Sequence, residues 1–296
     1  LPLPARTDGV YSRETDSTKD HTLLLALISN FIPVYASMIY SKTMLSFATA
    51  CLSLTGLSTA QDPADGWMAY AVGQIPDGVD RITRLEMTWK VGEDPSGSNA
   101  FFSPWFGMDP ADNLNLIQPV NPWLGNGWNY YTEYFQWEPE DNSNSQQMGI
   151  DAGQYLKGSL VYNDDDDSYD LTQTNMNTGE SSKQNVKCQN GKKFTIPYVV
   201  YEKTWPCRDY PPDGVTTFTN IVAECDGKPC TEQIQWSAKV KDANCGMQAH
   251  IDNATQIRIT WDTNGVSEYD NMTRAELFEM NQKSGGGWSK KLKLSK

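Results

Sequence analysis

The stretch LEMTWKV, residues 85–91, indicates the fold class of this chain. Every second side chain from Leu85 to Val91 is apolar and those between are polar, which is typical of a β-strand with one buried face. Similar segments follow along most of the chain, with turns rich in Gly, Pro, Asn and Asp between them. The pattern predicts an all-β protein built as a sandwich or a barrel.

The same reading predicts ten strands and one helix. The expected strands span residues 81–91, 101–108, 114–120, 129–137, 155–162, 168–175, 194–205, 216–223, 234–240 and 256–262. The acidic run 164–167 lies between two of them and is expected at the tip of a hairpin. Thr273 and Glu276 form a capping box, which predicts one short C-terminal helix over an edge or end of the sandwich.

Residues 44–60 resemble a secretory signal peptide. Lys42 precedes a short apolar stretch that begins at Met44 and ends in the small residues Ser58, Thr59 and Ala60. This is the basic, apolar and small-residue order of an export signal. The apolar part is shorter than the roughly 20 residues that a membrane-spanning helix needs. We therefore expect translation to begin at Met44.

The signal divides the chain into four parts. Residues 1–43 are expected to be a non-native or disordered extension, and residues 61–283 one β-sandwich domain. Residues 284–296, rich in Gly and Lys, are expected to be a flexible tail. The alternative is a membrane anchor at residues 22–40, which Pro33 and nearby polar residues disfavour.

The predicted mature chain is acidic. Residues 61–296 hold 20 Lys and Arg against 33 Asp and Glu, because residues 1–60 carry four of each charge. Nucleic-acid binding depends on Lys and Arg that neutralise phosphates, so this balance argues against it. We expect a secreted, extracellular protein that binds no nucleic acid and, after signal removal, no membrane.

Five cysteines follow residue 60, which allows two disulfides and one remaining thiol in an exported protein. We expect Cys188–Cys207, which flank a strand, and Cys225–Cys230, which close a short turn. Cys245 would then be free. Cys225–Cys245 is the alternative, because spacing alone does not determine connectivity.

Metal and histidine chemistry have little support. His250 is the only histidine after the predicted signal, which excludes a multi-His metal site and leaves one histidine for any catalytic triad. We expect His250 to lie partly exposed at the entry to a strand. The acidic run 164–167 lacks the spacing of a calcium loop. We expect no metal and no cofactor, and the sequons at Asn253 and Asn271 predict a glycoprotein if the source is eukaryotic.

The order of segments resembles the eqolisins, the secreted glutamic peptidases. SPWFGMD at 103–109 resembles their Ala-Trp-Val-Gly-Ile-Asp block, LIQ at 116–118 their Ile-Leu-Gln, and YFQWEP at 134–139 their Trp-Tyr-Glu-Trp-Tyr-Pro. The resemblance covers residues 67–262. It implies a concanavalin A-like jelly-roll sandwich of two antiparallel sheets.

The resemblance also implies that Gln118 is one of two catalytic residues. The family's catalytic glutamate lies in an Ala-Glu-(Phe/Trp)-Ile-(Ile/Val)-Glu strand, which corresponds to PYVVYE at 197–202. Tyr198 then takes that glutamate's position, and Glu202 matches the second glutamate. A tyrosine, with an ordinary pKa near 10, is no base at acidic or neutral pH. We expect Gln118 to bind the oxyanion and Glu202, roughly 13 Å along the strand from Tyr198, to be the candidate substitute acid.

Aromatic and amide side chains are expected to line the substrate groove. In the resemblance, Tyr134 and Gln136 replace a tryptophan and a glutamate of the family's cleft. The expected substrate-binding residues are Trp105, Trp123, Trp128, Tyr134, Gln136 and Tyr198. Two functions follow: hydrolysis of extracellular polypeptides, or non-catalytic binding of a glycan or peptide in the same groove. They are distinguished by whether a carboxylate lies within about 5 Å of the Gln118 amide.

Overall fold

The computed structural model describes residues 65–95 and 99–283, except the side chains of Gln282 and Lys283. The predicted extension 1–43, signal 44–60 and tail 284–296 lie outside the described residues, as does the alternative membrane anchor at 22–40. The predicted sandwich is therefore described from Asp65 onward.

The described chain consists of strands joined by short turns, followed by one helix. The strands are β1 (Trp67–Gln74), β2 (Ile82–Lys90), β3 (Phe101–Pro110), β4 (Asn115–Val120), β5 (Trp123–Leu124), β6 (Trp128–Gln136), β7 (Asp141–Asn144), β8 (Met148–Ile150), β9 (Tyr155–Asn163), β10 (Ser168–Asn175), β11 (Ser181–Lys187), β12 (Phe194–Glu202), β13 (Val215–Cys225), β14 (Lys228–Pro229), β15 (Gln235–Val240), β16 (Gln248–Asn253) and β17 (Gln256–Thr260). The helix is α1 (Arg274–Lys283).

Two antiparallel sheets form a sandwich, which confirms the predicted fold class. Sheet 1 has the order β15-β1-β12-β3-β4-β6-β5, with β7 and β8 also paired to β6. Sheet 2 has the order β11-β10-β9-β2-β13-β17-β16, with β14 paired to β13. Strands that are neighbours in sequence often lie in different sheets, so the chain crosses repeatedly between the two layers.

The main hydrophobic core lies between the sheets. Trp89 of sheet 2 packs edge-on against Phe106 of sheet 1, with ring centroids 5.9 Å apart. Phe218 of β13, the cross-strand partner of Trp89 in sheet 2, packs against it with ring centroids 5.3 Å apart. A second apolar cluster lies outside this core and is made only of residues of sheet 1. Sheet 1 is therefore apolar on both faces, and its outer face has side chains that the sandwich core does not use.

All ten predicted strands are present, and the 168–175 strand has the predicted bounds. The hairpin at 164–167 joins β9 to β10, as predicted. The sequence prediction missed the seven other strands. One of them is β1, whose residues WMAYAVGQ are mostly buried and show no polar alternation. His250 lies inside β16 and not ahead of a strand, and its Nε2 is 3.0 Å from Thr260 Oγ1.

The structure contains disulfides Cys207–Cys245 and Cys225–Cys230, and Cys188 is a buried thiol. The Cys225–Cys230 prediction is confirmed, and Cys188–Cys207 with a free Cys245 is wrong. The error has a physical reason. The nine residues of β12 separate Cys188 from Cys207 and span roughly 27 Å, whereas bridged Cα atoms lie about 4–7 Å apart.

The helix begins with the predicted capping box. The Thr273 N–H donates to Glu276 Oε2 at 2.8 Å, and the Glu276 N–H donates to Thr273 Oγ1 at 3.3 Å. Near its end, Asn281 Nδ2 donates to the Thr204 carbonyl just after β12, and the Thr204 N–H donates to Asn281 Oδ1. The helix thus covers one end of sheet 1. Within the described ranges, no helix has the length and apolarity that a bilayer span requires.

Candidate functional site

The outer face of sheet 1, directed away from sheet 2, is the candidate site. Strand residues alternate between faces, so this face receives every second side chain of β12, β3, β4 and β6. Its apolar members are Trp67, Trp105, Leu116, Val120, Tyr131, Tyr198 and Val200, with Tyr70, Phe135 and Trp137 packed against them. Gln118, Glu133 and Glu202 lie among these side chains at alternating positions of their strands.

A row of residues crosses this face at one level. Tyr198 of β12 pairs with Gly107 of β3. A Cβ atom added at Gly107 would lie 3.0 Å from the Gln118 Cβ, so Gly107 is beside Gln118 of β4. Gln118 in turn pairs with Glu133 of β6. An added Cβ would also lie 2.6 Å from the Ile117 carbonyl oxygen, so only glycine fits between Tyr198 and Gln118 in this row.

Gln118 and Glu133 are hydrogen-bonded to each other. Gln118 Nε2 donates to Glu133 Oε2 at 2.9 Å. The two residues are 4% and 1% exposed, so the bond lies away from bulk water. The other amide atom, Gln118 Oε1, is buried and has no hydrogen-bond partner within the described ranges. A buried carboxylate thus meets the amide that the sequence reading had singled out.

Glu202 has different partners. Trp105 Nε1 donates to Glu202 Oε2 at 3.1 Å, and Lys203 Nζ is 3.4 Å from Glu202 Oε1. Sequence neighbours in a strand point to opposite faces, but Lys203 has a φ of 84°, which breaks the strand and lets its ammonium reach Glu202. The structure therefore places Glu202 in a buried ion pair at the end of β12 and does not bring it to Gln118.

Tyr131 of β6 lies between the two carboxylates. It is two residues from Glu133 on the same face of its strand and is buried in the outer cluster. Burial, together with the negative charges of Glu133 and Glu202, raises the pKa of Tyr131 well above its usual value. The phenol therefore stays neutral and separates the Gln118–Glu133 pair from the Glu202–Lys203 pair.

The Tyr198 hydroxyl is hydrogen-bonded by a residue of the β3–β4 turn. Asn113 Nδ2 donates to the Tyr198 hydroxyl at 3.2 Å and to Asp109 Oδ2 at 3.0 Å. All three residues are buried. Asn113 has a φ of 52°, a left-handed conformation that asparagine tolerates better than most residues. This turn thus holds the Tyr198 hydroxyl beside the Asn113 amide.

Only part of the predicted groove lies on this face. Trp105 and Tyr198 do, as members of the outer cluster. Trp123, Trp128 and Tyr134 belong instead to the core between the sheets, and Gln136 accepts a hydrogen bond from the Tyr134 hydroxyl at 2.5 Å. Their expected position in the groove is wrong. In β6 the even-numbered residues point inward, while Tyr131, Glu133 and Phe135 point outward.

The sequence reading missed Glu133, although a signal for it exists. The family pattern Trp-Tyr-Glu-Trp was matched to residues 134–137, where its glutamate becomes Gln136. Moved three residues back, the same pattern meets Tyr131-Thr132-Glu133-Tyr134, which keeps the glutamate and has tyrosine at both tryptophan positions, with Thr132 in place of the pattern's tyrosine. An odd shift also exchanges the two faces of a strand, which explains why the first alignment selected inward-pointing side chains.

Solved structures give an independent comparison. The structure of scytalido-glutamic peptidase with a peptide-based transition state analog superposes with a TM-score of 0.50 and 18% sequence identity, over 67% of this chain and 98% of that chain. A structure of the same peptidase with a transition state analog inhibitor gives the same values. The chain has the glutamic-peptidase fold.

SCP-B, described as a member of the eqolisin family and solved with the tripeptide Ala-Ile-His, superposes with a TM-score of 0.48 and 16% identity, over 67% of this chain and 98% of that chain. No protein-family model matches the chain, and no curated protein matches it significantly. The superposition on scytalido-glutamic peptidase confirms the predicted resemblance to eqolisins at the level of the fold.

Proposed function

We propose that this protein is a divergent glutamic-peptidase-like hydrolase that cleaves peptide bonds, with Gln118 and Glu133 as its catalytic pair. The observation that carries the proposal is the 2.9 Å hydrogen bond between the Gln118 amide and the Glu133 carboxylate. A polypeptide substrate is further supported by the shared fold, since scytalido-glutamic peptidase was solved with a peptide-based analog.

Each residue of the pair has a distinct role in the proposed reaction. Glu133 takes a proton from a water molecule, whose oxygen adds to the carbonyl carbon of the substrate. The Gln118 Nε2 group has a second N–H, which donates to the oxyanion that forms. Glu133 then gives the proton to the leaving nitrogen as the C–N bond breaks. Acid–base help is worth about 10²–10⁴-fold and one oxyanion donor about 10²–10³-fold.

The unpartnered Gln118 Oε1 atom supports a ligand at this point. A buried acceptor without a hydrogen bond costs about 1–3 kcal/mol, so proteins rarely keep one without a function or a bound water. A water molecule or a substrate N–H beside the pair would satisfy this atom.

Export fits this function and is part of the proposal. Two disulfides are typical of proteins from oxidising compartments such as the extracellular space. An extracellular hydrolase would meet polypeptide substrates there. Mass spectrometry of the N-terminus of the secreted protein tests the predicted signal peptide, and a first residue near Gln61 is expected.

The decisive experiment is digestion of denatured casein by the purified protein across pH 2–7. We expect wild-type cleavage, and at least a 100-fold lower kcat for both Glu133→Gln and Gln118→Ala, in line with the loss of one acid–base or oxyanion group. Glu180→Gln is the matched control, because Glu180 is an exposed glutamate in the β10–β11 turn of sheet 2. Glu202→Gln is a separate arm that tests the predicted substitute acid.

The outcomes separate the possibilities. Loss of activity in Glu202→Gln but not in Glu133→Gln would move the catalytic role to Glu202. Equal activity of all variants would point to a contaminating peptidase and reject the proposed pair.

A second function has one observation in its favour. Tyr198 occupies the position where the eqolisin resemblance implies the catalytic glutamate, and it lies among aromatic side chains of the outer face. A non-catalytic module that binds a peptide or glycan would need such rings and no carboxylate at this position. Binding of peptides or oligosaccharides by calorimetry, without cleavage at any pH, would favour this function.

A further inference from the structure

Glu133 lies on β6 between two strands of different character. On one side it pairs with Gln118 of β4, whose six residues are all buried. On the other side it pairs with Asn144 of β7, which has four residues, all polar and none fully buried. A strand without apolar side chains gains no attachment from the hydrophobic core, so its position depends on hydrogen bonds. The bonds that join β7 to β6 therefore help to determine where Glu133 lies.

Thr132, the residue before Glu133, receives two of these bonds from one residue, Ser145. The Ser145 N–H donates to the Thr132 carbonyl oxygen at 3.0 Å, and the Thr132 N–H donates to Ser145 Oγ at 2.8 Å. In a regular antiparallel pair the second bond would go to the Ser145 backbone carbonyl. Here the hydroxyl replaces that carbonyl at the point where β7 has ended. Because Thr132 is buried, its N–H depends on this hydroxyl.

The Ser145 hydroxyl is in turn bonded to sheet 2. Its oxygen is 2.6 Å from Ser182 Oγ of β11, at one edge of that sheet. Ser182 Oγ donates its single proton to the Gln146 carbonyl, so the proton between the two hydroxyls comes from Ser145. The Thr132 carbonyl, at 3.5 Å, is the more distant acceptor for that proton. We call the series from the Thr132 N–H through Ser145 and Ser182 to the Gln146 carbonyl the hydroxyl chain.

The hydroxyl chain acts on the backbone that leads into Glu133. The Thr132 carbonyl belongs to the same planar peptide group as the Glu133 N–H. Bonds to this carbonyl and to the Thr132 N–H therefore restrain the point at which the Glu133 side chain leaves β6. That side chain has to meet Gln118 Nε2, which lies 2.9 Å from its carboxylate. Because a misplacement of about 1 Å can lower a rate about 10²-fold, the restraint matters for catalysis.

We propose that Ser145 is a positioning residue of the peptidase reaction, which holds β6 so that the Glu133 carboxylate meets the Gln118 amide. Ser182 holds Ser145 in place from sheet 2. This inference rests on the proposed peptidase function. Thr132 and Glu133 are sequence neighbours in a strand, so their side chains point to opposite faces, and Glu133 is on the outer one. The two serines therefore act through the backbone of β6 and not on the substrate.

The test compares Ser145→Ala with Ser143→Ala. Ser143 is a matched control, because its Oγ also bonds β11, to Gln184 Oε1 at 3.1 Å, but at an exposed position of β7. We expect Ser145→Ala to lower kcat for casein-derived peptides about 10-fold or more, while KM stays within about threefold. Ser182→Ala should lower kcat in the same direction, and Ser143→Ala should leave it within about twofold. Circular dichroism melting verifies that each variant is folded at the assay temperature.

A spectroscopic measurement makes the inference independent of turnover. The Gln118 side-chain amide gives a pair of signals in a ¹⁵N–¹H correlation spectrum, which are assigned by their loss in Gln118→Ala. The proton donated to Glu133 should lie downfield, because a hydrogen bond to a carboxylate deshields it. We expect this signal to move upfield in Ser145→Ala and to keep its position in Ser143→Ala. An unchanged signal in Ser145→Ala, or an unchanged kcat, would overturn the positioning role.

The two proposals fail in different ways. If the wild type cleaves nothing, the peptidase function fails, and the Gln118 signal still decides whether Ser145 positions Glu133. If the wild type is active but Ser145→Ala and Ser143→Ala lower kcat equally, the effect belongs to β7 as a whole and the role of Ser145 is rejected. A higher KM with unchanged kcat in Ser145→Ala would show an effect on substrate binding and would reject it as well.

Discussion

The buried Glu202–Lys203 pair allows a quantitative prediction about stability. Glu202 is 4% exposed and Lys203 2% exposed, with Lys203 Nζ 3.4 Å from Glu202 Oε1. Glu202→Gln keeps an oxygen for the Trp105 Nε1–H but removes the negative charge. The Lys203 ammonium then remains buried without that carboxylate.

The expected effect follows from the burial of both groups. Removing one partner of a buried ion pair typically costs about 3–5 kcal/mol, because the other charge stays desolvated. The glutamine oxygen still accepts from Trp105, so we expect the lower end, about 3 kcal/mol. For a domain of this size, each kcal/mol lowers Tm by about 2–4 °C, which gives a decrease of about 6–12 °C.

The assay is a double-mutant cycle followed by thermal unfolding at pH 7. Its variants are Glu202→Gln, Lys203→Met and the double variant. Removing both charges eliminates the ammonium that Glu202→Gln leaves buried without its carboxylate, so the double variant should be more stable than the sum of the single effects implies, by at least 1 kcal/mol. Glu180→Gln serves as the exposed control, with a Tm within about 1 °C of wild type.

Two results would refute this reasoning. A decrease in Tm of less than 2 °C for Glu202→Gln would mean that water reaches the pair in solution. Strict additivity in the cycle would mean that the two side chains do not interact.

Three further predictions concern the disulfides, one acid and one glycine. Replacing Cys207 and Cys245 by serine should lower the free energy of unfolding by about 4 kcal/mol, and replacing Cys225 and Cys230 should lower it by about 2 kcal/mol, because the two bridges close loops of 38 and 5 residues. Urea titration of both double variants measures the difference. A larger loss for the Cys225–Cys230 variant would contradict the loop-entropy explanation. Burial raises the pKa of the half-buried Asp209 in the folded protein. Folding therefore favours the protonated carboxyl group, and this contribution to stability is complete below about pH 3.8 and is lost as the pH rises through the folded pKa. Asp209→Asn should therefore raise Tm at pH 7 and leave it unchanged at pH 3, and an equal shift at both values would contradict this. Gly107→Ala should lower Tm, because the added Cβ would lie 2.6 Å from the Ile117 carbonyl oxygen and should destabilise the fold by about 1–3 kcal/mol. Gly149→Ala is the control, since no atom lies within 4 Å of an added Cβ there. Similar Tm values for both variants would argue against a crowded β3–β4 contact.

The strands were predictable because alternation and turn residues are local signals. The 168–175 strand and the Thr273–Glu276 capping box both follow from neighbouring residues alone. Strand β1 was not predictable in this way, since both of its faces are buried and its sequence shows no alternation of polar and apolar residues.

The faces of β6 were less predictable than its existence. Aromatic residues occupy both faces of this strand, so the sequence YYTEYF gives no polar side to orient it. The choice between Glu133 and Gln136 depends on the register with β4, which is a long-range property. Gln118 was identified from the resemblance, but its carboxylate partner required the pairing of two strands.

The disulfide connectivity could not be predicted from the sequence either, because it also depends on a long-range contact. Cys207 lies in the connection from β12 of sheet 1 to β13 of sheet 2, and Cys245 lies in the connection from β15 of sheet 1 to β16 of sheet 2. These two connections meet at one end of the sandwich, although they are 38 positions apart in sequence. Only the three-dimensional path of the chain brings the sulfur atoms together.

The Cys207–Cys245 bridge has a practical consequence for proteolysis. A single backbone cut anywhere between the two cysteines leaves both fragments covalently joined, so a nicked molecule keeps the mobility of intact protein on a non-reducing gel. Damage of this kind, including self-cleavage by a hydrolase, would be visible only after reduction. Preparations should therefore be compared with and without reductant before any activity is assigned to the intact chain.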